Sequence, residues 1–228
     1  MSKRTTTRAP TTSQRTLLGL LSLQSWTAYE LTRQMRVAVG RVWPRSEASL
    51  YTDMKRLVPA GLAEAEEEEV GDRTRTRYEV TDAGRDEATR WLRDTEVSEP
   101  RVQIEAVLRV FLADLAGADD LRRTLDDTRR QVTRQLEAVL PILEDYASGG
   151  GTFPERAHLN ALFMHYCAGF FGHVLEWCDD VEAELDTWPD TAGVGMTAGA
   201  QQMIDDAIAT HRRAVERYLE TADEEGAS

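Results

Sequence analysis

SEASLYTDMKRL, residues 46–57, has the pattern of a short amphipathic helix with an unusual polar side. On a 100° wheel with Leu50 at zero, Met54 and Leu57 fall within about 40° of it and form an apolar stripe. Ala48, Tyr51, Thr52, Lys55 and Arg56 fall on the other side. That face carries little carboxylate, one aromatic, one hydroxyl and two cations, where a generic solvated helix mixes Glu with Lys. It is suited to meet something negatively charged.

The charge distribution agrees. The 228-residue chain has a net charge of −13, yet residues 1–62 contain ten Lys/Arg against three acids, a balance of +7. The remaining 166 residues then carry −20. A basic head on an acidic body can meet a polyanion on one side and repel it on the other.

The neighbouring segments fit a helix-turn-helix. Residues 1–13 are polar, Thr-rich and without periodicity, the composition of a flexible tail. From Arg15 the run LLGLLSL is apolar nearly all round, which suits a buried helix. TAYE, residues 27–30, matches a capping box for a second helix carrying Leu31, Met35 and Ala38, with Gly40 as its stop. Ser46 is the N-cap expected for the third helix, and Pro59 to Gly61 its end. LAEAEEEEV and RTRYEVT then read as two strands around the GDRT turn, with Tyr78 and Val80 alternating against Arg77 and Glu79. Glu66–Glu69 reads as a solvated strand edge. Asp72 sits beside Arg73, Arg75 and Arg77, which alternate spacing points to one side. Three helices with a cationic face on the third, followed by an arginine-bearing hairpin, make a winged helix-turn-helix. The third helix would enter the major groove of duplex DNA, and flanking cations would meet phosphates.

The segment TLLGLLSLQSWTAYELTRQM…VWPRSEASLYTDMKRLVPAGLAE…RTRYEVTDAGRDEATRWL, residues 16–92, resembles the PadR family of bacterial transcriptional regulators. Its marks are Tyr29, Trp43–Pro44, Leu50–Tyr51, Lys55–Arg56–Leu57, Gly61–Leu62 and Tyr78…Thr81…Ala83–Gly84. The resemblance implies a dimeric, ligand-responsive repressor with an all-helical C-terminal dimerisation domain, of the longer subfamily. By it Tyr51 and Lys55 are DNA-contacting positions. Pro59 departs from the family's usual charged helix former, which would end the third helix early.

In the acidic body, residues 85–95 and 101–116 read as helices broken at Ser98–Pro100. Apolar positions 121, 125, 132, 136, 139 and 143 form nearly a heptad seam, suited to helix pairing within or between chains, with Pro141 placed to kink that helix. After a loop at 148–151, a helix over about 155–186 forms the apolar heart of the body: Leu159, Leu162, Phe163, Tyr166, Phe170, Phe171, Val174 and Trp177. A last helix follows a loop at 189–198, with Ile204, Ile208, His211, Val215 and Tyr218 on one face. Phe163, Tyr166, Phe170 and Trp177, with Gly169 and Gly172 between, read either as core or as the lining of a site for a flat aromatic or drug-like effector. The stacking tryptophan that some multidrug-binding relatives carry on the last helix is absent.

Other chemistry finds little support. His158, His165 and His173 span about 22 Å of helix, too far for one metal ion. Cys167 and Cys178 would stand about 16 Å apart, too far for a disulfide and without CxxC spacing, so they read as buried filler. No GxSxG, Walker A or GxGxxG pattern is present. No apolar run approaches a membrane span and no secretory leader pattern opens the chain, so a cytoplasmic protein without membrane contact is expected.

The expected fold is mainly α with a small β-hairpin: a tail over 1–13, a winged helix-turn-helix over 14–95 and an all-helical domain over 96–228. The expected function is sequence-specific DNA binding by a homodimeric repressor on a palindromic operator, without catalysis, metal or cofactor. Its candidate DNA contacts are Ala48, Ser49, Tyr51, Thr52, Lys55, Arg56, Arg73, Arg75 and Arg77. The alternatives are an effector-free adaptor using the winged helix for protein contacts, and a small enzyme built on the helical body.

Overall fold

The computed structural model describes residues 9–70 and 73–226, without the side chains of Val70, Arg73 and residues 220–226. The chain divides into two compact units, Met1–Pro100 and Arg101–Ser228.

In the first unit, α1 spans Thr12–Leu21. It starts earlier than the apolar run indicates because Thr11 caps it: Thr11 Oγ1 accepts from Gln14 N at 3.3 Å, and Gln14 Oε1 accepts from Thr11 N at 3.0 Å. The last residues of the expected tail are therefore ordered helix. Ser13 is only 3% exposed, and its hydroxyl accepts from Trp43 Nε1 at 3.0 Å. Such a long-range contact has no local sequence signal. Residues 1–8 of that tail lie outside the described residues.

Helix α2, Ala28–Ala38, opens on the capping box read at Thr27 and Glu30. Its stop lies where expected: a Cβ on Gly40 would come within 2.5 Å of the Arg36 carbonyl oxygen. Ser46 caps α3, Glu47–Leu57, by accepting from Ser49 N at 3.3 Å. Pro59 falls in the turn that follows. There Gly61 adopts φ +71°, open to glycine without steric penalty, and Leu62 N donates to Leu57 O at 3.0 Å.

Strands β2 (Ala63–Val70) and β3 (Arg73–Val80) pair antiparallel from Ala63↔Val80 outward. A two-residue strand, β1 (Trp26–Thr27), adds to the other edge of β3 through Trp26↔Tyr78 and Thr27↔Arg77, giving the order β1-β3-β2. Two residues are too few to display a period of two, so the sequence gives no sign of β1. The glutamate-rich β2 is the edge strand, as its composition indicated. The GDRT turn, with Gly71 and Asp72, lies outside the described residues. Tyr78, Val80, Ala63 and Trp26 point into a core completed by Leu17, Leu18, Leu21, Leu31, Met35, Leu50, Met54 and Leu57.

Helix α4, Asp82–Asp94, begins three residues before the expected 85 because Thr81 caps it, accepting from Gly84 N at 3.1 Å and donating to Gly61 O at 2.7 Å. A Cβ on Gly84 would lie 2.0 Å from Leu62 O. Glycine is required here so that the helix can approach the β2 strand entry.

In the second unit, α5 covers only Glu105–Phe111, followed by a 3-10 turn at Ala113–Leu115. Residues 101–104 are not helical, contrary to expectation: Ile104 is extended (φ −126°, ψ 109°), a conformation β-branched side chains favour. Helix α6, Ala118–Ala147, continues through Pro141, and its seam buries Leu121, Leu125 and Val132 against α7, Ala157–Leu185, within the chain. Val132, Cys167, Phe171 and Val174 make one apolar cluster, and Ala113, Leu121 and Leu185 a second. Arg129 laces the two helices, with Nη2 at 2.8 Å from Asp179 and 2.6 Å from Glu182.

Helix α7 is less central than its composition indicates. Leu159, Leu162 and Tyr166 are exposed within the chain, while Cys167, Phe171, Val174 and Cys178 are buried. The apolar residues wrap round this helix, so one flank faces outward whatever the other packs against. Helix α8, Ala198–Gly226, leaves Ile204, Ile208, Val215 and Tyr218 exposed. Among the described residues, no helix is long and apolar enough to cross a membrane.

Candidate nucleic-acid interface

The polar face of α3 stands as the wheel places it. Leu50, Met54 and Leu57 are buried, whereas Ala48, Thr52, Lys55 and Arg56 are exposed and Tyr51 and Ser49 half-buried. Thr52 Oγ1 donates to Ala48 O at 2.8 Å, leaving its lone pairs outward. Lys55 and Arg56 enter no ion pair among the described residues, so their charge is available to a ligand. The nearby Arg36 is paired with Glu47 at 3.3 Å, joining the end of α2 to the start of α3.

The hairpin is more self-contained. Arg75 is exposed, but Arg77 donates its Nε to Glu68 on β2 and is 34% exposed. That bond raises the Arg77 pKa, with Glu30 contributing from the start of α2. In turn Glu30 is held below the usual carboxylate range, first by the Thr27 backbone N–H and hydroxyl and then by Arg77 and Arg75. Burial pushes the Tyr78 phenol up, and Tyr51 adds to the shift. The side chain of Arg73 lies outside the described residues. The structure therefore brings Ala48, Tyr51, Thr52, Lys55 and Arg56 onto one face, while Arg77 is committed to carboxylates of its own unit.

Sequence reasoning missed two residues, one within α3 and one just before it. Asp53 is buried at 4% exposure and accepts from Gln14 Nε2 at 3.0 Å through Oδ1. Arg45 donates to Ser49 Oγ at 2.6 Å. A signal was present for the first: Asp53 lies about 60° from Leu50 on the wheel, towards the core.

In the body, Phe163 and Phe170 pack against the Val132 cluster, and Tyr166, 60% exposed, stacks on Phe170 with ring centroids 6.4 Å apart. Trp177 is half-buried on the same flank. A Cβ at Gly169 or Gly172 would meet nothing within 4 Å, so neither glycine is needed for packing within the chain. His158, His165 and His173 are exposed, and among the described residues no three His, Cys, Asp or Glu side chains are grouped to hold a metal.

Three helices, a two-strand wing with a third short strand, and a cation-bearing third helix define the first unit as a winged helix-turn-helix. The profile of the transcriptional regulator PadR-like family matches residues 17–90, and that of the virulence activator alpha C-terminal domain matches residues 103–186. The chain carries the PadR-like regulator domain followed by a helical C-terminal domain, the arrangement of the longer PadR-like transcriptional regulators, a family of non-enzymatic DNA-binding proteins. No curated protein matches in sequence. Among solved structures, smu.1604c of Streptococcus mutans UA159 has a TM-score of 0.67 at 16% identity over 75% of this chain and 98% of its own. Bacillus subtilis PadR in complex with operator DNA has a TM-score of 0.63 at 17% identity over 75% of this chain and 98% of its own. The Vibrio cholerae virulence activator AphA has a TM-score of 0.55 at 21% identity over 77% and 98%. At these identities the likeness is one of fold.

Proposed function

We propose that the protein is a homodimeric repressor that reads a palindromic operator through α3 and is released by a small aromatic effector. The observation that carries the DNA reading is the outward face of α3, where Lys55 and Arg56 are exposed, without an ion pair among the described residues, beside Tyr51 and Thr52, while the opposite stripe is buried. A helix so arranged presents cations to phosphates and polar groups to base edges in a major groove. Arg75 on the wing supplies a flanking cation. The similar Bacillus subtilis PadR has been solved both with operator DNA and with p-coumaric acid, which supports the pairing of a duplex with an aromatic ligand. For the ligand we place the ring against the half-open flank of Phe163, Tyr166, Phe170 and Trp177. Two copies one helical turn apart would read a palindrome, and the exposed stripe of α8 supplies apolar surface for the pairing.

The test is fluorescence anisotropy on labelled duplex over a salt series. If each protomer neutralises about four phosphates, the log–log slope for the dimer is about −7. A slope near zero with affinity no better than millimolar overturns the reading.

A further inference from the structure

Helix α3 buries one charged side chain, and packing alone does not call for it. Asp53 Oδ1 is satisfied by Gln14, whose own Oε1 is held by Thr11 N, so the carboxamide is fixed from both ends. Asp53 Oδ2 is buried without a hydrogen-bond donor among the described residues. The guanidinium of Arg45 stands 3.8 Å away through Nη2, and the same nitrogen donates to Ser49 Oγ at 2.6 Å. A carboxylate taken out of water at such incomplete satisfaction is costly unless its charge is used. What it acts on here is Arg45.

Arg45 immediately precedes the N-cap of α3 and its side chain is 42% exposed. The N-terminal end of a recognition helix is the part that contacts base edges. A guanidinium has five N–H donors in a rigid planar fork, and Ser49 and Asp53 both engage one nitrogen, Nη2. The other donors remain for a ligand, in an orientation set before binding. Because Asp53 offsets part of its charge, Arg45 is a weaker partner for a phosphate than Lys55 or Arg56. Its fork is unaffected by that offset, and a fork matches the O6 and N7 acceptors of guanine.

We propose that Arg45 is a guanine-reading residue of this protein, held in its reading orientation by Asp53 and Ser49. The assignment rests on the duplex-binding reading above and adds to it the base read and the residue that reads it. Asp53 is a positioning residue, acting on DNA through Arg45.

The test is selection from a pool of randomised DNA duplexes by the full-length chain and by Arg45→Ala, Arg45→Lys and Asp53→Asn variants. Wild type should enrich a palindrome with a fixed guanine in each half-site. Arg45→Ala should enrich the same motif with that one position degenerate, a loss of about tenfold to a hundredfold in discrimination. Arg45→Lys should not restore it, because an ammonium lacks the planar fork. Asp53→Asn should relax the same position and no other. If that variant does not fold, as circular dichroism would show, Arg45→Ala and Arg45→Lys still decide the matter. An unchanged motif in Arg45→Ala overturns the proposal. So does a uniform loss of affinity across sequences with a flatter salt dependence, which would mark a phosphate contact. A wild-type chain that enriches no sequence removes the duplex reading itself and this assignment with it.

Discussion

Arg77 of β3 stands opposite Glu66 of β2 but donates its Nε to Glu68, its diagonal neighbour two residues further along that strand. The wing thus spends a cation on its own acidic strand. If Arg77 lies in the proposed interface, DNA would compete with Glu68 for it, which makes the Glu68→Gln variant informative. It should bind duplex about threefold to fivefold more tightly, the scale of one partly exposed ion pair. Its salt slope should steepen by about one unit per protomer. Unchanged affinity and slope in anisotropy titrations would place Arg77 outside the interface.

Helix α3 gives a second, opposite expectation. Lys55→Ala should flatten the salt slope by about one unit per protomer, because in the proposed complex this exposed cation, without an ion pair among the described residues, would meet a phosphate. Tyr51→Ala should weaken operator binding while the melting curve and far-UV spectrum keep the cooperative transition of the wild type. Wild-type affinity in the double variant would remove α3 from contact with DNA.

Particular residues show why the head could be read in advance and the site only in part. Ser46, Thr27 and the Leu50–Leu57 stripe act within a turn or two of themselves, so local spacing announces them. Asp53 could not be understood that way, since its partners are Gln14, 39 residues earlier, and Arg45 beyond the start of the helix. Alternate spacing alone puts Arg77 on one side with Arg73 and Arg75; pairing with β2, a non-local quantity, brings it to Glu68. In the body, Tyr166 and Leu162 looked like core because apolar content says what a helix can bury, not which flank a neighbour covers.

Gly84 tests the close approach of α4 to the sheet. A methyl group there would meet Leu62 O at 2.0 Å and Val80 Cγ2 at 2.8 Å, and a carbonyl of the backbone cannot turn aside as a side chain can. Gly84→Ala should lower unfolding free energy by about 1–3 kcal/mol, the range for overpacking. Urea denaturation would show it as a lower midpoint at an unchanged slope.

The Thr27–Glu30 box predicts a pH signature. Thr27 N donates to Glu30 Oε2 at 2.8 Å, and Glu30 is lowered from the ordinary 4.5 chiefly by that bond. A depressed carboxylate stabilises the fold fully above its unfolded value and loses that contribution as pH falls through the folded one. Alanine at 27 keeps that backbone bond but loses the hydroxyl, which accepts from Glu30 N and donates to Glu30 Oε2, so Thr27→Ala should lower stability by about 1 kcal/mol at pH 7. The gap from wild type should narrow as pH drops below 4.5. A gap that stays constant down to pH 3 would show that the Thr27 hydroxyl is not coupled to the Glu30 carboxylate.

In the proposed homodimer, helix α8 is the expected pairing surface. Ile204, Ile208, His211, Val215 and Tyr218 recur at alternating spacings of four and three, the seam of paired helices, and all five are exposed in the single chain. A lone 29-residue helix with such a stripe gains little by itself, because helices in proteins owe most of their stability to packing an apolar face. The core clusters of the body, by contrast, are drawn from α6, α7 and the segments around them, so changes on the α8 stripe should leave them whole. Ile204→Glu with Ile208→Glu should therefore yield a folded monomer in sedimentation velocity. Operator affinity should fall steeply with it, because one winged helix covers only half of a palindrome. If the double variant sediments as a dimer, the pairing surface lies elsewhere, and the exposed Phe111 and Leu115 at the start of the body become the next pair to substitute.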